Sequence, residues 1–280
     1  MSSDGRTARA HSWPWHAALA ENTWGFMSYH CGATLVSEDI IVTAAHCANY
    51  LLLHSRIDEI CVFVGAHNLT AAMAQTANCL SVKRIWKSSF NESYLVGDIA
   101  VLQLTNRLQL NDKVHPVCLP HADVTPGKHC FVTGWGAHKE GSYDDHPSVV
   151  LRQGEMVIQS QATCDRESIM WNNWDTLEFR ASSMICAVGV QSATGRVATC
   201  KGDSGGSLVC RRKSGEWELH GIISWKMLST CGNLLSAPDV FTSVVTYVDD
   251  IRRIIERRID NVERFQLVAT ASDAASKRRY

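Results

Sequence analysis

The chain has 280 residues, 45% of them hydrophobic, and a formal net charge of −1 at pH 7. That is enough apolar chain for one large all-β unit or two smaller ones, and the charge gives no support to nucleic acid or anionic lipid as a general partner. No apolar run reaches the roughly 18 residues of a spanning helix, and eleven cysteines without a Cys-x-x-Cys pair or a His-x-His spacing favour disulfides over zinc, hence an oxidising compartment.

In chain order, Ser12-Trp13-Pro14-Trp15 leads into a first strand, and Ile40 to Thr43 is an apolar run that ends in Ala44-Ala45-His46-Cys47. Cys61 and Cys79 flank a hairpin of Val62 to Val64 and Leu80 to Val82, and the segment between contains no Asp or Glu. Asn68-Leu69-Thr70 and Asn91-Glu92-Ser93 are glycosylation acceptor triplets. Gly97-Asp98 heads another apolar run, Ile99 to Leu104; Val149 to Leu151 and Leu219 to Ser224 follow the same style. Short Val-, Ile- and Leu-rich strands between turn residues predict an all-β fold. Near the end, Thr246 with Asp249 resembles a capping box, and Val248, Ile251, Ile255, Ile259 and Val262 recur at helical spacing, predicting a helix over about 246–262. Arg252, Arg253, Arg257 and Arg258 would form its solvated face. The remainder, 263–280, ending in Lys277-Arg278-Arg279-Tyr280, reads as a mobile tail.

The richest segment is Thr199 to Gly206, Thr-Cys-Lys-Gly-Asp-Ser-Gly-Gly. Small residues on both sides of Ser204 allow a sharp turn that brings the N–H groups of Gly202 and Ser204 close to a substrate carbonyl. A serine hydroxyl is inert at its own pKa, so a base and an orienting group are required. His46 is the candidate base. Asp98, an acid at the head of a buried strand, needs a partner, and an imidazole would satisfy it. Singly, each has a plainer reading: a packed histidine, a strand-end cap. Together they stand in the order His, Asp, Ser.

These motifs resemble the chymotrypsin-like (trypsin-fold) serine endopeptidases, from about Ser12 to about Ile255. Gly134-Trp135-Gly136, Gly221-Ile222-Ile223-Ser224-Trp225 and Pro238-Asp239-Val240-Phe241-Thr242 are similar to further segments of that family. The resemblance implies two antiparallel six-stranded β-barrels, about 12–116 and 117–245, with a C-terminal α-helix. It places His46, Asp98 and Ser204 as a triad in the cleft between the barrels, and Gly202 and Ser204 as the oxyanion donors. It implies disulfides Cys31–Cys47, Cys130–Cys210, Cys164–Cys186 and Cys200–Cys231; the hairpin suggests Cys61–Cys79 as a fifth. Cys118 is left over, and in relatives a cysteine in this context holds a propeptide. Some relatives bind calcium between the hairpin strands, but a hard cation needs carboxylate oxygen, so no metal is expected here, nor any cofactor.

By the same resemblance Ala198, Thr199, Ser224, Trp225, Lys226 and Asp239 surround the side chain that precedes the scissile bond. Ala198 stands where trypsins carry aspartate, but Asp239 on the opposite wall restores a carboxylate, which leans the expectation towards Arg, Lys or a broad preference. The alternative has Lys226 reaching inward to pair with Asp239, leaving a pocket for small or apolar side chains. Residues 1–11 lack the family's activation terminus, whose ammonium would pair with Asp203, and they contain no apolar stretch of signal-peptide kind, so the chain reads as incomplete at its start. The expectation is a secreted endopeptidase acting on proteins or peptides. The rival is an inert or zymogen-like homologue that binds a partner without cutting it.

Overall fold

The computed structural model describes residues 5–137, 147–171, 177–191, 195–227 and 237–272. Strands among them are β1 (Arg6–Thr7), β2 (His16–Thr23), β3 (Phe26–Leu35), β4 (Ile40–Thr43), β5 (Ile60–Val64), β6 (Leu80–Ser88), β7 (Ala100–Leu104), β8 (His129–Gly134), β9 (Arg152–Ile158), β10 (Met184–Gly189), β11 (Ser207–Arg211), β12 (Trp217–Lys226), β13 (Asp239–Ser243) and β14 (Phe265–Thr270). The strands β2 to β7 close an antiparallel barrel in the order β5-β2-β3-β4-β7-β6, and β8 to β13 close a second in the order β9-β10-β13-β12-β11-β8. Both have the six strands expected. Each also carries one strand outside the ring, β14 on β6 and β1 on β9.

Closure leaves β4 and β7 buried at every position, which is why their sequences are mostly apolar instead of alternating; the exceptions are Thr43 and Gln103, and Gln103 accepts from Arg84 at 3.2 Å and donates to Asp39 at 3.3 Å. Leu19, Leu35, Ile40, Ile85 and Phe63 fill the first barrel; Val132, Met156, Leu208, Ile223 and Phe241 fill the second. Each such side chain contributes about 1.5–3 kcal/mol relative to exposure. Trp13 and Trp15, just ahead of the first barrel, pack on Phe131 and Trp217 of the second, with the Trp13 and Trp217 rings 5.1 Å apart and nearly perpendicular at 70°.

Four disulfides form as expected: Cys31–Cys47, Cys61–Cys79, Cys130–Cys210 and Cys164–Cys186. The Cys200–Cys231 pairing involves a residue outside the described ones. Cys118 is exposed and forms no disulfide among the described residues.

The C-terminal region departs from the reading above. Its helix is shorter, spanning Val248–Ile255 after a 3-10 turn at Val244–Tyr247. No capping box forms, because the Thr246 hydroxyl donates to the Ser182 carbonyl at 3.2 Å. The helix stops where Arg257 turns left-handed, at φ 64°, and Asp250 accepts the backbone N–H groups of Glu263 and Arg264 at 3.3 and 3.0 Å. That turn aims residues 265–270 at the first barrel, so they form β14 where a mobile tail was expected. The physical reason lies in β6: β5 pairs only with Leu80 and Ser81, leaving an open edge from Arg84 to Ser88 that β14 covers. The last eight residues lie outside the described ones.

Candidate active site

Ala44 joins β4 to helix α1 (Ala45–His54), which holds His46 in its first turn. Asp98 lies just ahead of β7 and is completely buried. Its Oδ1 accepts the His46 backbone N–H at 2.8 Å, and its Oδ2 lies 2.7 Å from His46 Nδ1. Ser224 donates its hydroxyl to the same Oδ2 at 2.5 Å, and the Thr242 hydroxyl donates to the Asp98 carbonyl at 2.8 Å. The carboxylate thus has three donors, two from the first barrel and one from the second. Gly97 permits the approach, since it has φ +74° and a Cβ there would lie 3.0 Å from Ser88 Oγ.

The His46 side chain is 28% exposed. Burial pulls its imidazolium down, but the charge and hydrogen bond of Asp98, with a smaller pull from Glu92, outweigh this and hold its pKa above the ordinary histidine value. The ring is held through Nδ1, and Nε2, the nitrogen not bonded to Asp98, lies 3.6 Å from Cys47 Sγ.

The Ser204 loop is wound tightly. Asp203 N–H bonds the Cys200 carbonyl at 2.9 Å, Gly206 N–H bonds the Asp203 carbonyl at 3.0 Å, and Gly32 N–H bonds the Ser204 carbonyl at 2.8 Å. Gly202 and Gly205 take φ values of +89° and +78°. At Gly205 a Cβ would fall 2.2 Å from Thr43 Oγ1, so only glycine lets the serine loop sit against the segment leading into α1. The N–H groups of Gly202 and Ser204 donate to nothing among the described residues. No hydrogen bond joins Ser204 Oγ to His46 Nε2, a contact that commonly tightens only with substrate bound.

Asp203 is buried. Its Oδ1 accepts Gly136 N–H at 2.9 Å and its Oδ2 accepts Cys200 N–H at 2.8 Å. Side chains at Gly134 or Gly136 would collide with the carboxylate, which explains the two glycines around Trp135. Tyr29, which nothing in the sequence marked, donates its hydroxyl to the Gly202 carbonyl at 2.5 Å and so braces the loop from the first barrel.

In the pocket, Asp239 Oδ2 accepts Thr199 N–H at 2.6 Å. Lys226 turns inward: its Nζ donates to the Thr199 carbonyl at 2.7 Å and lies 3.7 Å from Asp239 Oδ1. The antiparallel register brings this about, since Lys226 and Asp239 face each other across β12 and β13. Burial pushes the Asp239 carboxyl up, opposed by Lys226 and the Thr199 donors. Trp225 is buried beside them; Ala198 and Ser224 are partly exposed. Cys31, His46 and Cys47 bring potential metal-ligating atoms within 4.8 Å, but both sulfurs are consumed in a disulfide. Asn68 and Asn91 are exposed; Asn68 caps the short helix α2 (Leu69–Met73) by accepting Ala71 N–H at 2.8 Å.

Paired six-stranded barrels with a buried Asp–His couple beside a glycine-lined serine turn define a serine endopeptidase. The trypsin family model matches residues 2–251, and the chain belongs to that family. It is 33% identical over 259 residues to chymotrypsin-C of Mus musculus, covering 90% of this chain and 88% of the relative. It is 32% identical over 263 residues to chymotrypsin-like elastase family member 3A of Homo sapiens, covering 90% and 87%. Among solved structures, neuropsin, a serine protease expressed in the limbic system of mouse brain, superposes with a TM-score of 0.70 at 30% identity, covering 90% of this chain and 99% of that one.

Proposed function

We propose that this endopeptidase works by acyl transfer, with Ser204 as nucleophile, His46 as general base and acid, and Asp98 as the group that fixes the imidazole. Ser204 attacks the peptide carbonyl while His46 Nε2 takes its proton; His46 then protonates the leaving amine, and water releases the acyl group by the reverse steps. Gly202 and Ser204 N–H groups receive the oxyanion, each donor being worth about 3–4 kcal/mol in the transition state. Asp203 holds the loop that presents them. The observation that supports this reading is the combination of a fully satisfied Asp98–His46 couple with two loop N–H groups that have no acceptor among the described residues.

For the residue before the scissile bond we infer a preference for small or apolar side chains over Arg or Lys. A substrate cation gains most from a buried carboxylate that lacks a partner, and Asp239 already has Lys226. Digestion of a peptide library by the chain, with Ser204→Ala as control, tests both parts. Cleavage after Ala, Val or Leu is expected. Enrichment of Arg or Lys would refute the pocket assignment, and cleavage surviving Ser204→Ala would refute the mechanism.

The disulfides and the two acceptor triplets support a secreted, glycosylated protein, with Asn68 and Asn91 as the modified residues. Cys118 supports a disulfide to a propeptide, readable as a mass shift on reduction. The assembled Asp98–His46 couple favours the enzyme over the binding-protein alternative.

A further inference from the structure

A cavity of about 230 Å³ on the second barrel is lined by His121, Asp123, Lys128, Arg212, Glu218 and His220, among others. Glu218 and His220 belong to β12 and are buried, their side chains 8% and 9% exposed. The β11–β12 ladder slips between Leu208 and Val209, which pair with Gly221 and Leu219, leaving His220 as the extra residue of a β-bulge. Bulges re-aim a side chain, and here His220 Nε2 comes to 3.3 Å from Glu218 Oε2. His121 reaches the other oxygen, its Nδ1 2.8 Å from Oε1. It belongs to the segment joining the barrels, which is laced to β12 where Cys118 N–H donates to the Trp217 carbonyl at 3.2 Å and Leu219 N–H to the Cys118 carbonyl at 2.9 Å.

Two imidazoles and a carboxylate are a zinc ligand set, and two ligands of one tetrahedral zinc stand about 3.3 Å apart. Glu218 Oε2 and His220 Nε2 already have that spacing. Burial lowers the His220 pKa, so its ring is neutral and able to ligate. His121, with a side chain 61% exposed, has room to turn from Oε1 onto the same ion. Arg212, its Nε 3.6 Å from Oε1, and Lys128 oppose a cation; Asp123 and the Glu218 charge offset them. An anion in the same cavity would have to sit against the buried Glu218 carboxylate, which disfavours it.

We propose that His121, Glu218 and His220 form a binding site for one zinc ion, with Asp123 or water as the fourth ligand, and that the ion ties the segment joining the barrels to β12. No short spacing in the sequence marks these residues, because the segment and the strand meet only in the fold. The site stands apart from the hydrolytic reading and needs no turnover to be tested.

The Ser204→Ala chain, used so that self-cleavage cannot enter, is stripped of metal with a chelator and titrated with zinc chloride against a metal-sensitive dye. Its thermal midpoint is read with and without zinc. One zinc per chain and a raised midpoint are expected. His121→Ala, at an exposed position, and His220→Gln should each weaken binding about tenfold or more and remove the rise. His46→Ala and Cys118→Ser should leave both unchanged. No binding, an equal rise with magnesium chloride, or binding that survives His121→Ala and His220→Gln overturns the proposal. So does binding that is lost in His46→Ala or in Cys118→Ser, which would place the ion at the Asp98–His46 couple or at the exposed thiol.

Discussion

His46 is the residue on which rate should depend most simply. As a base it must be neutral, and its imidazolium is stabilised above the ordinary value of about 6.5, so kcat/KM should rise with pH through a midpoint above that value. Asp98→Asn removes the charge that raises it. The ascending limb should move to lower pH while the plateau falls about ten-thousand-fold; a limb that stays in place would mean another group sets it. Lys226 gives a second test at this scale. Lys226→Gly leaves Asp239 buried without its cation, a state costing about 2–5 kcal/mol, so cleavage after Arg or Lys should rise at least tenfold on chromogenic amides. An unchanged preference would show that Asp239 is out of reach of substrate. The Asp98–His46 couple was legible because each residue sits at the end of an apolar run, where a buried polar side chain needs a partner. The direction of Lys226 was not, since a lysine chooses between solvent and pocket on the strength of what faces it across the sheet.

Between residues and molecule stand the elements, and β14 is the least anticipated. Phe265 is buried against Tyr247, with ring centroids 5.7 Å apart, so the strand is anchored by side-chain packing as well as by its ladder to β6. Phe265→Ala should cost about 3 kcal/mol, read from the midpoint of urea unfolding. A loss below about 1 kcal/mol would mean that β14 contributes little to holding the barrel. The strands β4 and β7 could be found by composition, because a strand covered on both faces is mostly apolar, Thr43 and Gln103 being their buried polar members. The strand β14 could not: its partner lies far back in the chain, and the open edge that attracts it exists only once β5 has paired short. The C-terminal helix was overextended for a related reason. The apolar spacing continues through Ile259 and Val262, but Asp250 captures the backbone of Glu263 and Arg264 and bends the chain away.

For the molecule as a whole, pH acts through buried histidines. His16 is 1% exposed, its Nδ1 lies 3.0 Å from Thr133 Oγ1, and burial lowers its pKa to about 3. A folded value below the unfolded one means the stabilisation is complete above about pH 6.5 and is lost as pH falls, by about 1.4 kcal/mol per unit for one site. His220, lowered by burial against the opposing pull of Glu218, acts in the same direction. His46, raised, acts in the opposite one, its stabilisation fading as pH climbs past its folded value. Unfolding free energy should therefore fall from pH 6.5 to pH 4, and His16→Gln should flatten that slope; an equal slope in the variant would clear His16 of the effect. The two barrels, for their part, meet at Asp98, which takes donors from both, and the proposed mechanism requires Ser204 to reach His46 there. Intact-mass analysis after exposure to a fluorophosphonate tests that meeting most directly. A single adduct on Ser204, abolished by Ser204→Ala and slowed at least a hundredfold by His46→Ala, is the expected result; an unmodified chain, or an adduct formed as fast without His46, would contradict it.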